Sequence, residues 1–508
     1  MRSDTARPGS PTEASLDGTV DVTDPGGPFT PHPSRNSRLG RTRKRPPRWW
    51  WVVVGFLTVQ VCIISFAANG PFVDEGLYTV AGIRVLEGNG VSDGYLTWFN
   101  GSPFVWPVIA ALGYEHLGGL SGARLMAAIL SAVTLWAFAQ TAENLFGQSV
   151  AFWCGLAFSL NGLFMALAHF AVYDVVALTG LAVSMWCVTR ASRPDGSIWI
   201  LGAALAFAGA VIAKYGYIAV VLPLLGLLLS VRDGKRFGRP AMMFLSVVAV
   251  ILITYFWMTF GSLVPTSSAA YLQQSFGRSR GHIAVLQMVF GLAPFALASA
   301  GALVVWRRQQ RLLAMTCLLA LSVYPTFHLW TVNFVSAQKH VVAGFLFAYL
   351  LAGVALERLW KSRSRVRAVS VVAVLAIWGG LQCYWQDYSW SDTRTLAHYL
   401  AQHMKQGDRL VAESSWNYIL YLYPRGLIES PADVIDANYS RGSNGRDVCQ
   451  IPWLVGNPDS ADMIRGAVGH CRHQRVLSSA TPQYYVDTTR MRLGVSSVVV
   501  GVYRLPKS

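Results

Sequence analysis

The sequence predicts an all-α polytopic membrane protein of about eleven transmembrane helices with a small extracytoplasmic α/β domain at its C-terminal end. Three observations carry that prediction. Of 508 residues, 53% are hydrophobic and only 13% charged, against about 25% charged in a soluble domain. The apolar residues gather in blocks of roughly 17–23 with few internal charges, the length a helix needs to cross about 30 Å of hydrocarbon. The blocks are apolar all round, as at 50–66, 283–305 and 341–356, whereas a soluble helix shows a single apolar stripe.

Eleven spans are expected, at 50–68, 123–145, 149–168, 172–190, 197–213, 215–231, 240–261, 283–305, 311–329, 340–357 and 367–385. Residues 1–48 precede them. This segment is rich in Pro, Gly, Ser, Thr and Asp, turns basic at Arg41, Arg43, Lys44, Arg45 and Arg48, and has too little apolar residue to bury a core. It reads as a disordered cytoplasmic tail. The block that follows is longer than the roughly 7–15-residue core of a signal peptide, so it reads as an anchor. One further apolar block, 104–117, is short, follows Pro103, contains Pro107 and ends at Glu115 and His116.

Charge arbitrates that block. With eleven spans, the inner loops collect Arg190 and Arg193; Arg232, Lys235, Arg236 and Arg239; Arg307, Arg308 and Arg311; and Arg358, Lys361, Arg363, Arg365 and Arg367. The outer side keeps only Arg84, Arg124, Lys214, Arg278, Arg280 and Lys339 before the C-terminal domain. That is the asymmetry that sets membrane orientation. A twelfth span at 104–117 would invert it, so this block is expected to lie in the interface. The net charge of +16 is spent mostly on these runs and on the tail, which speaks against a nucleic-acid partner.

An odd number of spans puts 386–508 on the outer face of a plasma membrane. There 395–404 and 415–423 read as helices, and 409–413 and 495–503 as strands. Cys62, Cys154, Cys187, Cys317 and Cys383 fall inside apolar blocks, where cysteine acts as a small hydrophobe. Cys449 and Cys471 lie outside them, on the side where a disulfide can persist.

The outer face also gathers ionisable residues. The long first outer loop, 69–122, opens with Phe72-Val73-Asp74-Glu75-Gly76. A carboxylate at the membrane rim can take a proton from a weak nucleophile or hold a divalent metal; one that caps the following helix does neither. Asp174, after Tyr173, occupies a very short turn at the same face and has the same two readings. Lys214, Arg278, Arg280 and the pair Lys339-His340 supply cations there. Such a collection suits a phosphate, although each alone is also explained as a helix-end residue reaching for the headgroups.

These residues resemble, in order and sidedness, the GT-C glycosyltransferases, and within them the protein O-mannosyltransferase and aminoarabinose transferase-like branch. The likeness runs from Phe72-Val73-Asp74-Glu75 through 118–124, His169 to Asp174, Lys214-Tyr215 and Lys339-His340 to Gly407-Asp408-Arg409-Leu410-Val411. Many relatives carry a His-Pro-Pro-like sequence where this chain has Asn100-Gly101-Ser102-Pro103, and Ala where it has Gly76. The resemblance implies a sugar on a polyprenyl phosphate or diphosphate, moved with inversion to an extracytoplasmic lipid, polysaccharide or protein acceptor. It implies Asp74 as general base and Asp174 as a second acid. Glu75 and His340 would contact substrate, and Lys214, Arg278, Arg280 and Lys339 the phosphate. A divalent metal is compatible with the acids but not required. The rival reading, a transporter or lipid flippase, calls for ionisable groups at mid-membrane and repeated halves, and the sequence has neither.

Overall fold

In the computed structural model, the described residues are 46–90, 105–192, 196–232, 237–263, 280–331, 337–362, 365–387, 392–412, 415–436, 453–456, 484–487 and 499–504. Residues 1–45 of the expected cytoplasmic tail (1–48), the Asn100–Pro103 region, Arg278 and the Cys449–Cys471 pairing fall outside them.

The first helix, α1 (Arg48–Cys62), runs into a π turn at Ile63–Ala67 and is followed by α2 (Val73–Leu86) and α3 (Val105–His116). Next come α4 (Leu120–Phe146), α5 (Gln148–Ser159), α6 (Gly162–Leu167), α7 (Asp174–Arg190) and α8 (Gly196–Ala213). A 3-10 turn at Tyr215–Val220 leads into α9 (Val221–Val231), then α10 (Gly238–Leu263), α11 (Arg280–Arg307), α12 (Arg311–Thr331), α13 (Ala337–Lys361) and α14 (Arg365–Asp387).

Among the described residues, eight helices are long and apolar enough to cross a membrane. The other three expected crossings are shorter. The third is broken at Leu160–Asn161 into α5 and α6, because the Asn161 side chain accepts a hydrogen bond from the Phe164 amide and so starts a new helix. The fourth, α7, has 17 residues, and the sixth spends its first turns as a 3-10 helix.

One helix has almost no lipid-facing side. In α13, 94% of the most apolar stretch is buried, against α11, α12 and α5. Lipid tails offer no hydrophobic drive for this association, so close backbone contact has to supply it. At Gly301 of α11 a Cβ would stand 1.9 Å from the Leu351 carbonyl oxygen, and only glycine lets the two helices meet there.

Within the block at 104–117, α3 has 12 residues and packs on α2. Trp106 is buried and donates to the Ala171 carbonyl at 3.1 Å. A second, smaller core joins Val80 and Ile83 of α2 and Ala111 of α3 to the C-terminal region. That region contributes α15 (Arg394–His403), β1 (Leu410–Ala412), α16 (Ser415–Leu422), β2 (Val434–Asp436), β3 (Trp453–Gly456), β4 (Tyr484–Asp487) and β5 (Val499–Arg504). The strands form one sheet in the order β2-β1-β3-β5-β4, parallel on either side of β1 and antiparallel beyond β3. Tyr114 of α3 donates to the Leu420 carbonyl at 3.1 Å, and Tyr423 to Glu87 at 2.6 Å.

The α11–α13 contact is testable. Gly301→Val should lower the thermal midpoint of the detergent-purified protein, since overpacking a close contact costs about 1–3 kcal/mol. Gly291→Ala on the same helix, where a Cβ meets nothing within 4 Å, should leave the midpoint unchanged or raise it. Equal midpoints for the two variants would contradict the close approach.

Candidate active site

The candidate site sits at the end of the bundle where α1 leads into α2 and where α4, α7 and α13 begin. Its foundation is a buried ion pair. Glu75, in the first turn of α2, has a fully buried side chain, and Arg124, in the first turns of α4, is 4% exposed. Glu75 Oε1 accepts from Arg124 Nε and from the Ala171 amide, both at 2.8 Å. Oε2 accepts from Arg124 Nη2 at 2.7 Å and from the Phe72 amide at 2.8 Å. Arg124 also donates to the Asn69 and Gly70 carbonyls, at 2.8 and 2.9 Å. Four hydrogen bonds fill the lone pairs of a carboxylate, so Glu75 has no acceptor left for a substrate. Through these bonds it ties the chain entering α2 to α4 and to the loop after α6.

Its neighbour points elsewhere. Successive residues of a helix stand about 100° apart, since 3.6 make a turn, and Asp74 is only partly buried, with an 18% exposed side chain. Its Oδ2 accepts from Lys339 Nζ at 2.5 Å. Lys339 lies in the first turn of α13, with its ammonium 4.9 Å from the centre of the Phe72 ring. The second acid, Asp174, opens α7 and pairs with Lys214, which stands between α8 and the 3-10 turn. Both side chains of that pair are buried. The Lys214 ammonium also lies 5.1 Å from the centre of the Tyr173 ring, and Tyr173 packs edge-on against Tyr78 of α2 at 4.9 Å.

The two acid–lysine pairs form one electrostatic cluster, in which Lys214 feels the charges of Lys339 and Asp74 as well as that of Asp174. His340 joins it. Its ring stacks at 5.1 Å on His328 of α12, and Nδ1 stands 3.0 Å from His328 Nε2. Tyr324 donates to the Gly216 carbonyl at 3.1 Å and packs its ring 5.6 Å from that of His340. Asp74, Asp174, Lys214, Lys339 and His340 are thus brought together from α2, α7, the α8 end and α13.

Arg280 is exposed at the first position of α11. One turn further along the helix, Ala284 and Gln287 begin an apolar groove of about 410 Å³ between α11, α12 and α13, whose walls include Leu292, Phe295, Val341 and Phe345. Val341 follows Lys339 by two residues on α13, so the groove wall and the charged cluster share the first turns of that helix on different faces.

His328 escaped the sequence reading because a lone histidine in an apolar block looks like core; its spacing of 12 residues from His340 is no motif. An ammonium on each aspartate supplies the positive charge a divalent ion would bring. The described residues whose donor atoms converge as metal ligands do are a separate set, His169, Cys383 and Asp387. Outside the spans, burial holds the Tyr421 phenol above its ordinary range although Arg124 and Arg394 pull it down, so it stays neutral beside the clamp.

With the geometry established, comparison with known proteins is informative. Residues 102–258 match the family model described as dolichyl-phosphate-mannose-protein mannosyltransferase. No curated protein sequence matches the chain. Among solved structures, ArnT from Cupriavidus metallidurans bound to undecaprenyl phosphate superposes with a TM-score of 0.60 at 16% identity, covering 90% of this chain and 97% of that one. Its apo form gives the same figures. The Archaeoglobus fulgidus oligosaccharyltransferase in complex with Zn and sulfate superposes with a TM-score of 0.50 at 10% identity, covering 85% and 71%. Over most of its length the chain thus shares the fold of these two solved proteins.

Proposed function

We propose that this protein is a membrane glycosyltransferase that moves a sugar from a polyprenyl-phosphate carrier to an acceptor on the extracytoplasmic face. The observation that carries the reading is the pairing of two carboxylates with two lysines, Asp74 with Lys339 and Asp174 with Lys214, in a bundle whose α13 also walls an apolar groove. A lipid-linked glycosyl phosphate presents that combination of demands: a long apolar chain, an anionic leaving group and an acceptor that must lose a proton.

The roles follow from the chemistry. The polyprenyl chain lies in the groove between α11 and α13, and its phosphate meets Lys339 and Lys214, with Arg280 at the groove's end. Without donor, Lys339 is bonded to Asp74. The donor's phosphodiester is a second anion within reach of the ammonium and competes with Asp74 for it, and the charge that builds on the departing phosphate draws Lys339 further, releasing the Asp74 carboxylate as a base. The acceptor oxygen or nitrogen attacks the anomeric carbon and its proton passes to Asp74. The carbon–oxygen bond to phosphate breaks, and the electron pair leaves on the phosphate, where the lysines neutralise it. A single displacement inverts the anomeric centre. Asp174, held by Lys214 beside the Tyr78–Tyr173 pair, orients the acceptor. ArnT, one of the solved structures the chain resembles, was crystallised bound to undecaprenyl phosphate, and a carrier of that class supports this reading.

Two outcomes are expected. In membranes supplied with radiolabelled polyprenyl-phosphate sugars, Asp74→Asn should lower transfer by about 10²–10⁴-fold while expression and melting temperature hold. Glu75→Gln should lower both transfer and melting temperature, because it leaves Arg124 buried without its counter-charge, a loss of about 3–5 kcal/mol. Near-normal turnover by Asp74→Asn would remove the general-base assignment. Topology is checked separately, in a Cys449→Ser, Cys471→Ser background. An impermeant thiol reagent added outside should label a cysteine introduced at Ser460 and not one at Ser34; the reverse pattern would refute the orientation.

A further inference from the structure

Beside the Glu75–Arg124 pair lies a polar cluster to which the proposed transfer assigns no role. His169 follows α6, Cys383 and Asp387 stand four residues apart in the last turns of α14, and Gln60 projects from α1. All four are buried, at 1%, 4%, 6% and 0% exposure. The imidazole Nδ1 faces Gln60 Oε1 at 2.8 Å and Nε2 faces Asp387 Oδ1 at 2.6 Å. Cys383 Sγ lies 3.8 Å from the other Asp387 oxygen. The donor atoms of His169, Cys383 and Asp387 all fall within 4.8 Å of one another.

Both ring nitrogens therefore face acceptor oxygens. A neutral imidazole carries one N–H and can satisfy one of them. With the Gln60 amide turned over, which also gives its unpartnered Nε2 an acceptor, a neutral ring satisfies both partners; a metal ion is the other arrangement that the converging donor atoms offer. With a metal, the local chemistry is complete: Nδ1–H donates to Gln60, which fixes the tautomer in the way that partners of metal-bound histidines do, and the Nε2 lone pair is free to ligate. A divalent ion with one carboxylate and one thiolate sums to zero charge, the condition a buried site requires.

We propose that His169, Cys383 and Asp387 form a structural site for a zinc-class divalent metal that rivets α14 and the α6 end to the base of the first loop. Imidazole, thiolate and carboxylate together suit zinc, whereas magnesium and calcium take oxygen ligands. Bonds of about 2.0 to 2.3 Å place tetrahedral ligands roughly 3.3–3.8 Å apart, so the Nε2–Oδ1 gap need open by less than 1 Å or so, and a water completes the fourth position. The helices are already held at the required separation. A Cβ on Gly379 of α14 would stand 1.9 Å from the Leu160 carbonyl oxygen, and one on Gly162 would stand 2.4 Å from that of Gly379. The ion would act on the neighbouring site through Asn69, whose side chain donates to the Asp387 carbonyl at 3.0 Å and whose own carbonyl accepts from Arg124. The inference does not rest on glycosyl transfer.

The test is metal content. Full-length protein, purified in mild detergent and dialysed against metal-free buffer, should retain about one zinc per chain by mass spectrometry. Cys383→Ala should retain none, and Asp74→Asn should retain the wild-type amount. Cobalt exchanged into the wild-type protein should give a sulfur-to-metal charge-transfer band in the near ultraviolet, a readout that needs no variant. Stripping with a chelator should lower the thermal midpoint, and zinc alone should restore it. Wild-type protein that holds no more metal than Cys383→Ala and gives no cobalt–thiolate band would overturn the proposal in favour of a metal-free imidazole–carboxylate pair. Metal lost from Asp74→Asn but kept by Cys383→Ala would overturn it as well, by moving the ion to the acid–lysine cluster.

Discussion

The buried pair of Glu75 and Arg124 is the contact on which the rest of the site depends. Two charges taken out of water are costly, and the cost is recovered only when the geometry is close and every remaining donor and acceptor is used. Here the guanidinium reaches a carboxylate and two backbone carbonyls, and the carboxylate reaches a guanidinium and two backbone amides. Those backbone groups belong to the end of the first span, the start of α2 and the loop after α6. One ion pair therefore fixes three chain segments at once. Asp74 is the residue before Glu75, and Asp174 lies three residues beyond Ala171, so both acids inherit their places from it.

A rigid base of this kind allows the reactive groups above it to be exchangeable. Asp74 and Lys339 are each about a fifth exposed, and a pair at that depth is held less tightly than one sealed from solvent. Glu75 and Arg124 are sealed; Asp74 and Lys339 are not. On the proposed function, that difference would separate a contact that stays closed from one that opens when a phosphate binds.

Much of the fold was legible in the sequence because the bilayer sets a length, and apolar blocks of that length are hard to mistake. The break at Asn161 was not legible, since an asparagine inside an apolar block can either cap a new helix or bond a neighbour, and here it does both, reaching Tyr349 at 3.2 Å. Of the two adjacent acids, the sequence identified the pair but not the division of labour between them. Adjacent residues on a helix face different surroundings, and which of them meets Arg124 depends on where α4 lies. Cys383 was read as a small hydrophobe from its block. Its setting beside His169 and Asp387 depends on α14 packing against the end of a helix more than two hundred residues earlier.

The shortness of α7 has a consequence for depth. A helix of 17 residues rises about 26 Å, less than the roughly 30 Å of hydrocarbon it would have to cross. The bilayer meets such a mismatch by thinning locally, and the adjoining 3-10 turn at Tyr215–Val220 shows the ladder ending early on the neighbouring segment too. Asp174 and Lys214 mark those early endings. On the proposed function, a bilayer thinned there would bring the headgroup layer down toward Asp174 and Lys214, so that an anionic lipid head could reach the ammonium while its tail stays immersed.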